Sequence, residues 1–180
     1  MGEASNEELM SRFCTGDSAA FRTLFGRLGP MVQRFLRSML REPTLVEDVT
    51  QTTFLSVVRS RDRYTPGADV ARWVLSIAAN AARDLLRHRA LGVEQLSSTG
   101  DAVERPSQAP LPDPGLRRRL EDALQALPES QREVVVLHKV EGLTFEEVAG
   151  VLGITSTAAR IRAHRGYGRL KELLVDLEGM

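Results

Sequence analysis

The sequence is short of the residues that build covalent or metal-centred folds. Among 180 residues there is one cysteine, Cys14, so no disulfide can close within the chain and no Cys-based zinc site can form. Cys14 follows Phe13 in an amphipathic stretch, which predicts a buried structural thiol. The histidines, His88, His138 and His164, show no metal-ligand spacing. Aromatic residues make up only 5 %; Leu, Val and Ala take their place, a balance that favours helix over sheet. The formal net charge is zero, so overall charge gives no pull toward nucleic acid. No apolar run reaches membrane-spanning length, and Met1 to Glu8 is acidic with no apolar run. Neither a signal peptide nor a membrane segment is expected, which places the chain in the cytoplasm. Nucleophile–base pairs, phosphate-cradling glycine loops and metal-ligand sets are also missing. The expectation is a protein that is not an enzyme and needs no cofactor, metal or small-molecule substrate.

What is present is helical periodicity. Apolar residues at 42 % can fill a core, and charged residues at 27 % can cover it. Leu9, Met10 and Phe13 recur at helical spacing, then Phe21, Leu24, Phe25 and Leu28, then Met31, Phe35, Met39 and Leu40. Gly16-Asp17 predicts a break with Asp17 or Ser18 as cap, and Gly29-Pro30 predicts a second break. Thr44 and Glu47 form a capping-box pattern just after Pro43, opening a helix whose face carries Leu45, Val49, Thr53, Phe54, Val57 and Val58. Arg61 to Asp69 reads as a surface loop. A helix from about Val70 to Arg89 follows, with Trp73, Ile77, Ala81 and Leu85 as its expected buried stripe. Prolines 106, 110, 112 and 114, preceded by Ser97, Ser98, Thr99 and Gly100, mark a flexible linker and a domain boundary.

Beyond the linker, Leu116, Leu120, Ala123, Leu124 and Leu127 are spaced as a helix that ends before Pro128. The run Val134-Val135-Val136-Leu137 has strand propensity, but its helix-length span and the terminal Gly142 favour helix. Thr144 and Glu147 form a second capping-box pattern, and the short helix it opens ends at Gly153. From Gly153 to Lys171 the charged residues are all basic (Arg160, Arg162, Arg165, Arg169 and Lys171). A short helix, a glycine turn and an arginine-rich helix have the layout of a helix-turn-helix, whose second helix enters the DNA major groove. Val148, Leu152 and Ile154 would hold the two helices together. Ser156, Thr157 and Arg160 would stand near base edges, and Arg165 and Arg169 near phosphates. A plain helical hairpin with a solvated arginine face would read the same way.

Longer motifs go further. Leu124-Gln-Ala-Leu127-Pro128-Glu-Ser-Gln131-Arg132-Glu133-Val134, Glu141-Gly142-Leu143-Thr144, Glu147-Val148-Ala149 and Leu152-Gly153-Ile154 resemble region 4 of bacterial sigma factors. Independently, Glu47-Asp48-Val49, Gln51, Thr53-Phe54-Leu55, Trp73-Val74, Ile77-Ala78, Asn80, Asp84 and Arg87 resemble sigma region 2. With no other sigma region between them, the chain resembles the compact extracytoplasmic-function type. The resemblance implies an all-α fold of two small helical domains: 7–90 as region 2, 91–114 as flexible linker and 115–177 as region 4. It further implies that Glu47, Asp48, Gln51 and Phe54 bind the clamp helices of the polymerase β′ subunit, and that region 4 meets the β flap. By the same resemblance Arg63, Tyr64, Asn80, Arg83 and Arg87 face the −10 promoter element, while Ser156, Thr157, Arg160, Arg162, His164 and Arg165 face the −35 element. Core RNA polymerase and promoter DNA are the implied partners, with an anti-sigma factor as the implied inhibitor.

Two departures stand out. Thr157-Ala158-Ala159 replaces the Gly-Thr-Val common in the family, and Ala163 stands where a long apolar residue is common. Gly166 and Gly168 each cost about 1 kcal/mol relative to Ala inside a helix, which predicts a soft distal half. The alternative that the residues leave open is a helix-turn-helix regulator whose amino-terminal helices sense a ligand or dimerise.

Overall fold

The computed structural model describes residues 3–91 and 114–178, so the expected linker, 91–114, falls almost wholly outside the described residues. Among the described residues there are eight α-helices and no strand: α1 Asn6–Cys14, α2 Ser18–Met39, α3 Pro43–Arg59, α4 Val70–Ala90, α5 Pro114–Ala126, α6 Glu129–Lys139, α7 Phe145–Leu152 and α8 Ser156–Glu178. No helix among them is long and apolar enough to cross a membrane. The all-α architecture is the expected one.

Local chemistry starts and stops most helices where the sequence indicates. Asp17 caps α2, its carboxylate accepting from the N–H groups of Ala19 and Ala20. The bond from Ala20 and the Arg12 guanidinium hold that carboxyl below the usual Asp range. The Thr144 hydroxyl accepts from Glu147 N–H, and the Glu147 carboxylate accepts from Thr144 N–H at 2.8 Å, completing the capping box of α7. Gly153 ends α7 in the left-handed conformation, φ 65°, which a glycine adopts without steric cost.

Elsewhere packing overrides local signals. Helix α2 runs unbroken through Pro30, contrary to the expected break. A proline inside a helix costs about 3 kcal/mol. Val32, Phe35, Leu36 and Met39, just beyond it, are fully buried. Each such side chain contributes about 1.5–3 kcal/mol, so a continuous α2 is favoured. The Thr44–Glu47 capping box does not form. Glu42 is the N-cap of α3 and Pro43 its first residue, so Thr44 lies inside the first turn. The buried stripe of α4 is Val70, Val74, Leu75, Ala78, Ala79 and Ala82, whereas Trp73, Ile77, Ala81 and Leu85 are only half-buried on its flank. Three alanines in that stripe let neighbouring helices approach closely. Cys14 is exposed rather than buried, because α1 turns Leu9, Met10 and Phe13 inward and Cys14 stands at the edge of that face.

The Val134–Leu137 run is helical and wholly buried, with α2, α7 and α8 packed around α6. Helices α1–α4 and α5–α8 are in contact with each other: α5 and α6 rest on α2, and α7 rests on α4. The buried apolar cluster continues across the join. Helix α8 stays continuous past Gly166 and Gly168. A Cβ on Gly166 would lie 2.7 Å from Val135 Cγ2, so this glycine sets the spacing of α6 and α8; one on Gly168 would meet open space.

Gly166→Ala is therefore expected to lower stability by about 1–3 kcal/mol through overpacking against the stiff Val135 side chain. Gly168→Ala is expected to raise it by up to about 1 kcal/mol through helix propensity. Urea denaturation of the full chain checks both signs.

Candidate nucleic-acid interface

Two polar surfaces emerge from this framework. The first is the helix-turn-helix of α7, Gly153 and α8. The Thr155 hydroxyl accepts from Ala158 N–H at 3.1 Å and caps α8. Ala159 and Ala163 face inward and are fully buried; their small size seats α8 closely against its neighbours. Thr157, Arg160, His164 and Arg165 are exposed, while Ser156 and Arg162 are half-buried. Thr157, Arg160 and His164, at i, i+3 and i+7, share the outward face. Arg160 reaches back to Glu146 at 2.7 Å, and its guanidinium carbon stands 5.8 Å from the centre of the Phe145 ring. Both members of that ion pair are largely exposed, so it is worth little and gives way readily to another anion.

Arg63 is exposed at the end of a 3-10 turn, Arg61–Arg63. Tyr64 beside it is buried, unlike a DNA-facing residue. Its ring packs on Trp73, centroids 5.4 Å apart, and its hydroxyl donates to the Ala68 carbonyl at 2.5 Å. Burial pushes the phenol pKa up and keeps it a donor. In this conformation Tyr64 holds the loop. Asn80 and Arg87 are exposed on α4; Arg87 pairs with Asp84 at 3.2 Å. Arg83, between them on the same face, donates from Nη1 to Asn80 at 3.2 Å and from Nε to Glu133 of α6 at 2.8 Å.

The second surface lies on α3. Asp48 and Gln51 are exposed and Glu47 is half-buried. Phe54 is only 4 % exposed, on the apolar side of α3 with Val49, Thr53 and Val57. Its ring meets Phe25 edge-on at 4.6 Å and Phe21 at 6.4 Å, so it supports the face from beneath. The apolar residues that reach solvent are Phe25 and Leu55, 44 % and 54 % exposed. Leu55 follows Asp48 and Gln51 at i, i+3 and i+7, on the face opposite the buried stripe. An apolar residue at a polar-face position was the signal that would have found it.

Glu133 was also missed as a functional residue. Its side chain is only 3 % exposed, and it carries Arg83 on one oxygen and Arg162, at 3.4 Å, on the other. A cleft of about 470 Å³ beside it is lined by Arg83, Glu129, Glu133, Leu152, Ile154 and Arg162, among others. Burial, then the Glu133 charge, raises the Glu129 carboxyl above its usual pKa. Arg132 holds the turn between α5 and α6 through the carbonyls of Gln125 and Leu127 and reaches the Met39 carbonyl at the end of α2 at 3.0 Å.

Known proteins are similar to this sequence along most of its length. The family description "Sigma-70 region 2" matches residues 24–91, and "Sigma-70, region 4" matches residues 117–170. RNA polymerase sigma factor CarQ of Myxococcus xanthus is 53 % identical over 170 residues, covering 94 % of this chain and 97 % of that protein. ECF RNA polymerase sigma factor SigF of Caulobacter vibrioides is 32 % identical over 178 residues, 98 % of each chain. Among solved structures, CnrH in complex with the cytosolic domain of CnrY aligns at a TM-score of 0.73 and 26 % identity, covering 95 % of this chain and 97 % of that one.

Phe54→Ala is expected to cost about 3–5 kcal/mol of folding stability, as for a buried aromatic. A residue acting only as a surface contact would leave the urea midpoint unchanged.

Proposed function

We infer the working parts of this protein from its kinship: the chain belongs to the extracytoplasmic-function group of bacterial RNA polymerase sigma factors. It binds core RNA polymerase and directs promoter-specific transcription initiation. In our reading, 7–90 forms the half that binds polymerase and opens the −10 element, 115–177 forms the half that binds the −35 element, and 91–114 tethers them. The two separate family matches support this division.

The observation that carries the reading is the pairing, in one chain, of a capped helix-turn-helix with a second polar-and-apolar face on α3. On α8, Thr157, Arg160, His164 and Arg165 read or grip duplex DNA, with Ser156 at the helix start. On α4, Asn80 and Arg87, with Arg63 of the nearby turn, meet the −10 region. Arg83 and Arg162 join them once freed from Glu133. Asp48, Gln51 and Leu55, with Glu47 and Phe25, meet the polymerase clamp helices, while Phe54 keeps that face in shape.

Opening DNA costs about 1.4 kcal/mol of stacking per base-pair step. Trapping unstacked bases in protein pockets offsets it, and two tethered modules on one promoter raise the effective concentration of each. The chain works by binding, in the cytoplasm, where polymerase and promoter are. An anti-sigma factor holds it inactive. The solved relative CnrH is in complex with a second protein, the cytosolic domain of CnrY, which supports control by a binding partner.

Run-off transcription with core polymerase and the purified chain tests the assignments. Arg160→Ala is expected to cut initiation about tenfold, the loss of one base contact, with core binding unchanged. Wild-type initiation by that variant would remove Arg160 from the reading set. Asp48→Lys is expected to weaken holoenzyme assembly about tenfold in a titration against core enzyme, with the chain's own fold intact.

A further inference from the structure

The outward face of α8 has an apolar residue at its centre. Ile161 stands two residues past Ala159 and two before Ala163, the fully buried pair that seats α8 on its neighbours. At helical spacing it therefore points straight away from the bundle, and it is 48 % exposed. Thr157, Arg160, His164 and Arg165, all exposed, stand around it at i−4, i−1, i+3 and i+4. Gly168 lies on the same outward line at i+7, and a Cβ there would meet open space. A glycine inside a helix costs propensity, and here no inner neighbour requires it. The outward line of α8 thus carries one apolar side chain and then none, which lets the helix lie close against another surface.

The surrounding charge says what that surface is. From Gly153 to Lys171 there are five Arg and Lys residues and no Asp or Glu. A protein partner covering Ile161 would also have to desolvate the arginines beside it, at high cost, whereas DNA meets them with phosphate. The major groove displays hydrogen-bonding groups and one apolar group, the 5-methyl of thymine. We propose that Ile161 sets part of the −35 specificity by packing against the 5-methyl group of a thymine in the major groove. The inference rests on the reading of α8 as the −35 helix. Arg160 and its basic neighbours fix the helix on the duplex, and Ile161 adds discrimination that their hydrogen bonds do not supply. Cytosine in the same place lacks the methyl and turns an amino donor toward a side chain that cannot accept from it.

The test uses holoenzyme assembled from core polymerase and the full chain. Selection from a randomised duplex library, with sequencing of the retained templates, gives the −35 element. Each thymine of that element, on either strand, is then replaced singly by deoxyuridine, which removes the methyl and leaves base pairing intact. Run-off initiation by the wild type is expected to fall about fourfold at one thymine, the worth of one buried methyl group. Ile161→Ala is expected to initiate about fourfold less on the thymine template and to lose nothing further with deoxyuridine, while Ile161→Val keeps the methyl sensitivity. Because Ile161 is exposed, the urea midpoint and the affinity for core enzyme are expected to stay at wild-type values in both variants. A −35 element without an A·T pair, or a deoxyuridine cost equal in wild type and Ile161→Ala at every position, overturns the role of Ile161 and leaves α8 as the −35 helix. Unchanged −35 selection by both Ile161→Ala and Arg160→Ala overturns the reading of α8 itself, and this inference with it.

Discussion

A turn of helix that is apolar on all sides has to be covered on all sides, and Val134–Leu137 of α6 imposes that constraint on this molecule. Val134, Val135, Val136 and Leu137 occupy more than one full turn and are all buried. Helices α7 and α8 of its own half cover part of the circumference, and α2 of the other half covers more. Gly166 brings α8 near enough to touch Val135, and polar groups on either side of the apolar run reach α2, Arg132 before it and Glu141 after it. Much of what places the two halves follows from burying this one stretch of chain.

The functional faces inherit their geometry from that packing. Helix α8 can present Thr157, Arg160 and His164 outward because Ala159 and Ala163 seat its other side against the bundle. Helix α3 can present Asp48, Gln51 and Leu55 because Val46, Val49, Thr53 and Val57 are sunk on the opposite side and Phe54 is wedged under Phe25. Each surface is rigid for a packing reason, and each keeps exposed ionic contacts that are cheap to exchange, such as Arg160 with Glu146. The buried contacts, Arg83 with Glu133 and Arg34 with Glu141, are of the opposite kind.

Much of the fold was legible because it is written in short-range chemistry. Asp17, Thr144 with Glu147, and Gly153 each act on backbone groups within a few residues, so their roles could be read without knowing the tertiary arrangement. The helix-turn-helix is made almost wholly of such signals. The misread features share a different cause. Pro30 sits inside α2, Cys14 lies in solvent, and the α4 stripe is rotated. In each case the outcome depends on what stands opposite in space. Periodicity shows that a helix has an apolar side, but not which neighbours press on its edges.

That the chain is helical, where most helices begin and end, and that an arginine-bearing helix follows a glycine turn could all be read from the order of residues, because capping and helical spacing are local and additive. Its motifs also carried the kinship with sigma factors. Which of the motif residues face outward, which brace the core, and that Glu133 stands between Arg83 and Arg162 are settled by long-range packing. Those outcomes depend on desolvation, and how far a carboxylate or a ring is removed from water is fixed by residues far away in the chain.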